Sequence, residues 1–155
     1  MILNRQREVR VSISPLEKFL SRAQSRLRLA PESLTVALVS NADIARWNRS
    51  YRGKNRPTDV LSFPVRRSSP KRRTRKTAAQ PEASGETGDG PYLGDIAIAP
   101  AVARENAVRF GRTFETEMRI LILHGILHLM GYDHETDSGQ MERRERVLRR
   151  DLGIA

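Results

Sequence analysis

Between Phe114 and Met130 the sequence is apolar almost all the way round a helix: Ile120, Leu121, Ile122, Leu123, Ile126, Leu127 and Leu129 leave no broad polar face. A helix of that kind has to be covered on every side. The remaining segments must therefore wrap it, and 155 residues suit one domain built around one core. Gly131 follows the apolar run and is the expected helix stop, because glycine takes positive φ without steric penalty.

The flanking sequence supplies short strands and amphipathic helices. Val9, Val11 and Ile13 alternate with polar residues and predict a first strand. Ser14, Pro15 and Glu17 read as a capped helix start, and Leu16, Phe19, Leu20, Ala23 and Leu27 follow at helical spacing. Leu34, Val36 and Leu38 predict a second strand. Ser40 opens a helix with Ile44, Trp47 and Tyr51 on one side. Thr58 to Phe63 reads as a third strand stopped by Pro64, and Tyr92 to Ile98 as a fourth. Pro100 starts a helix to about Arg109, and a last helix begins near Asp137 with Met141, Val147, Leu148 and Leu152 inward. Residues 66–90 are first basic, then acidic and Gly-rich, with few apolar side chains, and are expected to form a mobile insertion, not a domain boundary. The order predicts an α+β or α/β domain over 1–155 with one small sheet.

Charge narrows the partners. Lys and Arg number 28 against 18 Asp and Glu, a formal +10, and a field of that sign gathers polyanions such as nucleic acid. Plain solubility or a biased base composition would produce the same count. There is no cysteine, which excludes disulfides and thiolate metal sites. No segment reaches the roughly 18 apolar residues of a membrane span, and no secretory h-region is present, so a soluble cytoplasmic protein is expected.

All three histidines fall within one short segment, His124-Gly-Ile-Leu-His128-Leu-Met-Gly-Tyr-Asp-His134. Spacing of four places His124 and His128 on one helix face, and a reversal at Gly131 can bring His134 to the same point. Three imidazoles with an open fourth position describe a catalytic zinc site, although nickel and copper also suit such donors. A satisfied core histidine is the ordinary explanation of a single His on an apolar face. Two imidazoles buried in so apolar a helix need partners for their nitrogens.

The spacing matches the metzincin protease frame, with Gly125 where the protease carries its general-base glutamate. Peptide hydrolysis thereby loses its proton acceptor. A phosphodiester asks instead for a cation to stabilise charge at phosphorus. Arg49, Arg52, Lys54 and Arg56 cluster around one turn between Asn48 and Pro57 and offer such cations, though alone they also read as a solvated basic helix end.

The histidine segment, Asn48 to Pro64 (NRSYRGKNRPTDVLSFP) and Leu93-Gly94-Asp95-Ile96 together resemble the YbeY family of bacterial rRNA maturation endoribonucleases. The resemblance implies a metal-dependent RNase specific for single strands, acting in 16S rRNA 3′-end maturation and ribosome quality control with rRNA and the small ribosomal subunit as partners. It implies zinc on His124, His128 and His134 and an active-site cation at Arg52. It also implies a mixed sheet of about four strands with about five helices, hence α+β, the metal site lying on the buried helix and the turn after it. Lys54 and Arg49 are candidate substrate contacts and Asp133 a candidate partner of the metal ligands or proton acceptor. The alternatives are a zinc metallopeptidase and a non-catalytic ribosome-associated RNA-binding protein. The 66–90 segment looks longer and more basic than the family's usual connection.

Overall fold

The computed structural model describes residues 1–65, 92–132 and 138–154. The 66–90 insertion, Asp133 and His134 lie outside the described residues. Among these described residues four strands form one sheet: β1 (Ile2–Asn4), β2 (Leu34–Leu38), β3 (Val60–Pro64) and β4 (Gly94–Ile98). Their spatial order is β1-β2-β4-β3, with β1, β2 and β4 parallel and β3 antiparallel to β4. Five helices of the described residues pack on it: α1 (Ile13–Arg26), α2 (Asn41–Arg52), α3 (Pro100–Phe110), α4 (Phe114–Leu129) and α5 (Gln140–Leu152). The mixed sheet of four strands with five helices is the α+β fold expected.

The two faces of the sheet are covered differently. Leu34, Val36, Leu38, Ile96 and Ile98 point to the large core with α1, α4 and α5, including Phe19, Leu20, Met118, Leu123, Ile126 and Leu148. The opposite face places Leu61, Phe63 and Ala97 against Ile44 and Trp47 of α2. Because side chains alternate along a strand, Ser62 of β3 is turned to the α4 side, between Leu61 and Phe63. The apolar helix α4 is thus central, as its sequence demands: its buried residues run from Glu117 to Leu129.

Its ends are well made. Thr113 accepts from Thr116 N at 3.1 Å as the N-cap, and Glu115 and Glu117 place negative charge in the first turn. Buried Glu117 is paired with Arg112 at 2.6 Å. At the other end Tyr132 N donates to Leu127 O and Gly131 N to His128 O, both at 3.0 Å, with Gly131 at φ 104. That is a Schellman closure, and it needs the glycine.

One expected strand does not form. Residues 9–13 are not a ladder strand; the strand lies at Ile2–Asn4, and Ile13 already opens α1. Val9 is nonetheless buried, because the Gln6 side chain takes the place of a partner strand: Gln6 Oε1 accepts from Val9 N and Gln6 Nε2 donates to Val9 O, both at 2.9 Å. The α1 cap is accordingly Ser12, not Ser14. Glu17 does not close a capping box but accepts from Ile2 N at 2.8 Å, tying α1 to β1. The last helix begins at Gln140 after Gly139, Val147 being only half-buried.

Candidate metal centre

With Arg119, His124 and His128 are the partly exposed exceptions on the buried stretch of α4. Their rings are 4.7 Å apart at 69°, and their Nε2 atoms face each other at 3.2 Å. Two nitrogens bound about 2.0–2.1 Å from one tetrahedral zinc ion are about 3.3 Å apart by simple geometry. The pair therefore already has the span of two ligands to a single ion. The described residues do not include the third histidine, and among them no cluster of three metal-binding side chains occurs.

A carboxylate backs the first histidine. His124 Nδ1 lies 3.2 Å from Glu145 Oε1 of α5, and Arg149 Nη1 is 3.5 Å from the other oxygen, Oε2. An ionised carboxylate only accepts, so the His124 proton belongs on Nδ1 and the lone pair on Nε2, facing His128. Burial pushes the Glu145 carboxyl upward, but the His124 hydrogen bond, the positive charge that a protonated His124 adds, and the Arg149 guanidinium together outweigh it; the net displacement is downward. Glu145 is thereby held as an anion.

The histidines form one wall of an open cleft of about 590 Å³. The opposite wall comes from the end of α2 and from the segment leading into β3: Tyr51, Arg52, Thr58, Asp59, Val60 and Ser62 line it, with Tyr132 at the α4 exit. Arg52 is the last residue of α2, capped by Gly53 at φ 74. Asn48, buried on the same helix, donates to Arg56 O at 2.8 Å and fastens the following turn. Arg52 is therefore set at a helix C-terminus, where the backbone dipole favours a cation. Asp59 Oδ2 accepts from Asn106 Nδ2 at 3.0 Å, and Ser62 Oγ donates to Gly125 O at 3.2 Å, pinning β3 to α4 between the two histidines. Arg49 and Lys54 are exposed but do not line the cleft.

Gly125 faces away from this chemistry. A Cβ there would meet Ile96 of β4 at 2.7 Å, so α4 can lie this close to the sheet only with glycine at that point. The position that carries the base in the protease frame is thus occupied by packing against the sheet.

Three of these residues were not singled out by sequence. Glu145 hides in the Arg- and Glu-rich face of α5 and reads there as a solvated ion pair. Asp59 gives no spacing signal. Ser62 was detectable, as the polar member of an otherwise apolar strand end.

Comparison with known proteins places the chain. The family profile for Endoribonuclease YbeY matches residues 1–153. An Endoribonuclease YbeY from Sulfurovum sp. (strain NBC37-1) is 37% identical over 98% of this chain and 90% of its own length. One from Solibacter usitatus (strain Ellin6076) is 39% identical over 90% and 78%. The solution structure of a Thermotoga maritima protein superposes with a TM-score of 0.60 at 28% identity, covering 98% of this chain and 89% of that one. A whole-length profile match and relatives above 30% identity lead to one conclusion: the chain belongs to the Endoribonuclease YbeY family.

Proposed function

We propose that the protein is a zinc-dependent, single-strand-specific endoribonuclease that matures the 3′ end of 16S rRNA and serves ribosome quality control, working in the cytoplasm on the small subunit. The observation that carries this reading is the pair of facing imidazole nitrogens, 3.2 Å apart, in the same cleft as Arg52. The family relationship supports RNA cleavage, and the formal charge of +10 supports a polyanionic substrate.

His124, His128 and His134 would hold the zinc. When bound, the ion supplies Lewis acidity at the phosphate oxygens. Arg52 supplies a planar, permanently charged fork for charge developing at phosphorus. Ser62 holds the two walls of the cleft in register. Lys54 and Arg49, outside the cleft, hold flanking phosphates through salt-sensitive contacts. Asp133 is proposed as a proton acceptor or as a partner to the ligands.

The test joins metal analysis to cleavage of a single-stranded rRNA fragment by wild type, His128→Ala and Arg52→Ala. We expect one zinc per chain in wild type and in Arg52→Ala, and strongly reduced cleavage in both variants. Cleavage that survives both substitutions unchanged would sink the proposal. The product ends identify the nucleophile: a 2′,3′-cyclic phosphate means the 2′-OH, a 5′-phosphate means water.

A further inference from the structure

We propose that Glu145 is a positioning residue for His124, so that the last described helix, and not only α4 and its turn, belongs to the metal centre. The inference rests on the zinc reading above and adds to it a residue from a separate element.

Three observations converge. Glu145 Oε1 lies 3.2 Å from His124 Nδ1, the nitrogen on the far side of the ring from the Nε2 that faces His128. Both carboxylate oxygens are engaged, Oε1 by the histidine and Oε2 by Arg149 at 3.5 Å, so the carboxylate is held from two sides. The group is also sheltered, with side-chain exposures of 26% for His124 and 16% for Glu145. An exposed ion pair would be a loose, screened contact, whereas a sheltered carboxylate with two partners fixes ring orientation and tautomer. Neighbouring acidic residues on α5 do not substitute for it. Glu142, one turn earlier, has a side-chain exposure of 77% and pairs with Arg146.

A carboxylate hydrogen-bonded to the outer nitrogen of a ligating imidazole raises its basicity and removes the wrong tautomer, and its loss costs about 10–100-fold in metal affinity. Glutamine can still accept from Nδ1 through its amide oxygen, without the charge; alanine cannot. Zinc affinity should therefore fall in the order wild type, Glu145→Gln, Glu145→Ala, the last by about 10–100-fold.

The experiment measures two quantities on each folded protein: the zinc dissociation constant, by competition with a chromophoric chelator, and the His124 tautomer in metal-free protein, by long-range ¹⁵N–¹H correlation. We expect wild type and Glu145→Gln to hold the proton on Nδ1, and Glu145→Ala to shift it toward Nε2. Glu145→Gln preserves shape, so it remains informative if the alanine variant does not fold: its zinc affinity should lie measurably below that of wild type. Unchanged zinc affinity in both variants, or an unchanged tautomer in Glu145→Ala, overturns the proposal. Failure of wild type to bind zinc would sink the zinc reading alone, because the tautomer measurement needs no metal.

Discussion

Replacing Gly125 by alanine puts a methyl group where α4 lies closest to the sheet. That Cβ would stand 2.7 Å from Ile96 Cγ2, 2.9 Å from Cδ1 and 3.1 Å from Cγ1, on a side chain with 0% exposure. Carbon atoms prefer about 3.5–4.0 Å, so either Ile96 or the whole helix must move. Overpacking of this kind costs about 1–3 kcal/mol, and the better helix propensity of alanine recovers about 1 kcal/mol. The net expectation is a loss of up to about 2 kcal/mol, read as a lower urea midpoint at constant slope by Trp47 fluorescence and circular dichroism. Ile96→Ala alone should cost about 2–5 kcal/mol by opening a cavity. In the double variant the new methyl enters that cavity, so the combined loss should fall short of the sum by about 1–3 kcal/mol. A Gly125→Ala protein about 1 kcal/mol more stable than wild type, with an additive cycle, would refute the claimed closeness of helix and strand. Gly125→Glu would add a carboxylate buried without a partner, several kcal/mol more. It should yield unfolded protein and no peptide hydrolysis.

Arg52→Ala should lower RNA cleavage by about 10²–10³-fold, with zinc content unchanged, and Arg52→Lys should recover only part; single-turnover assays check both. Arg112→Ala strands the buried Glu117 carboxylate and should cost about 3 kcal/mol in urea titration. Asp95 provides a pH test. Burial raises its carboxyl above the usual carboxylate range, against the opposing hydrogen bond of Tyr92 and the charge of Arg5. A raised carboxyl favours the protonated fold, so its contribution is present in acid and lost as pH rises through the raised value. Asp95→Asn should therefore gain stability relative to wild type as pH rises from acid to neutral, measured by thermal unfolding across that range; a difference independent of pH would contradict the assignment. Chelation should abolish cleavage, and added zinc should restore it, while the unfolding of the metal-free protein remains cooperative.

Sequence and structure agree where the signal is local and periodic. The apolar run of α4 could only be a buried core helix, and spacing of four put His124 and His128 on one face. Ser40 was legible as a cap, and it accepts from Asp43 N at 3.1 Å. The first strand was misplaced because Val9, Val11 and Ile13 alternate correctly, yet only Ile2 to Asn4 finds β2 as a neighbour; burial of Val9 is achieved through one glutamine side chain. Arg52 was separable from Arg49 and Lys54 only by the family resemblance, since the four cations look alike in sequence. Which of them faces a cleft depends on where α2 ends and on how Asn48 ties the next turn. Glu145 was illegible because a carboxylate among arginines at helical spacing carries no mark of its tertiary partner, 21 residues away.

That tertiary partner has a consequence for the timing of synthesis. Chains emerge from the ribosome N-terminus first, at about 5–20 residues per second, so His124 and His128 exist as polypeptide before α5 does. Until α5 has emerged and docked Met141, Leu148 and Leu152, α4 lacks part of its cover and His124 lacks its carboxylate. The histidine-bearing helix is thus completed by a later one. On the proposed zinc and Glu145 roles, a nascent copy acquires its full metal affinity only after α5 has emerged and docked, which keeps an RNA-cleaving centre unfinished while that part of the chain is still inside the RNA-rich particle that makes it.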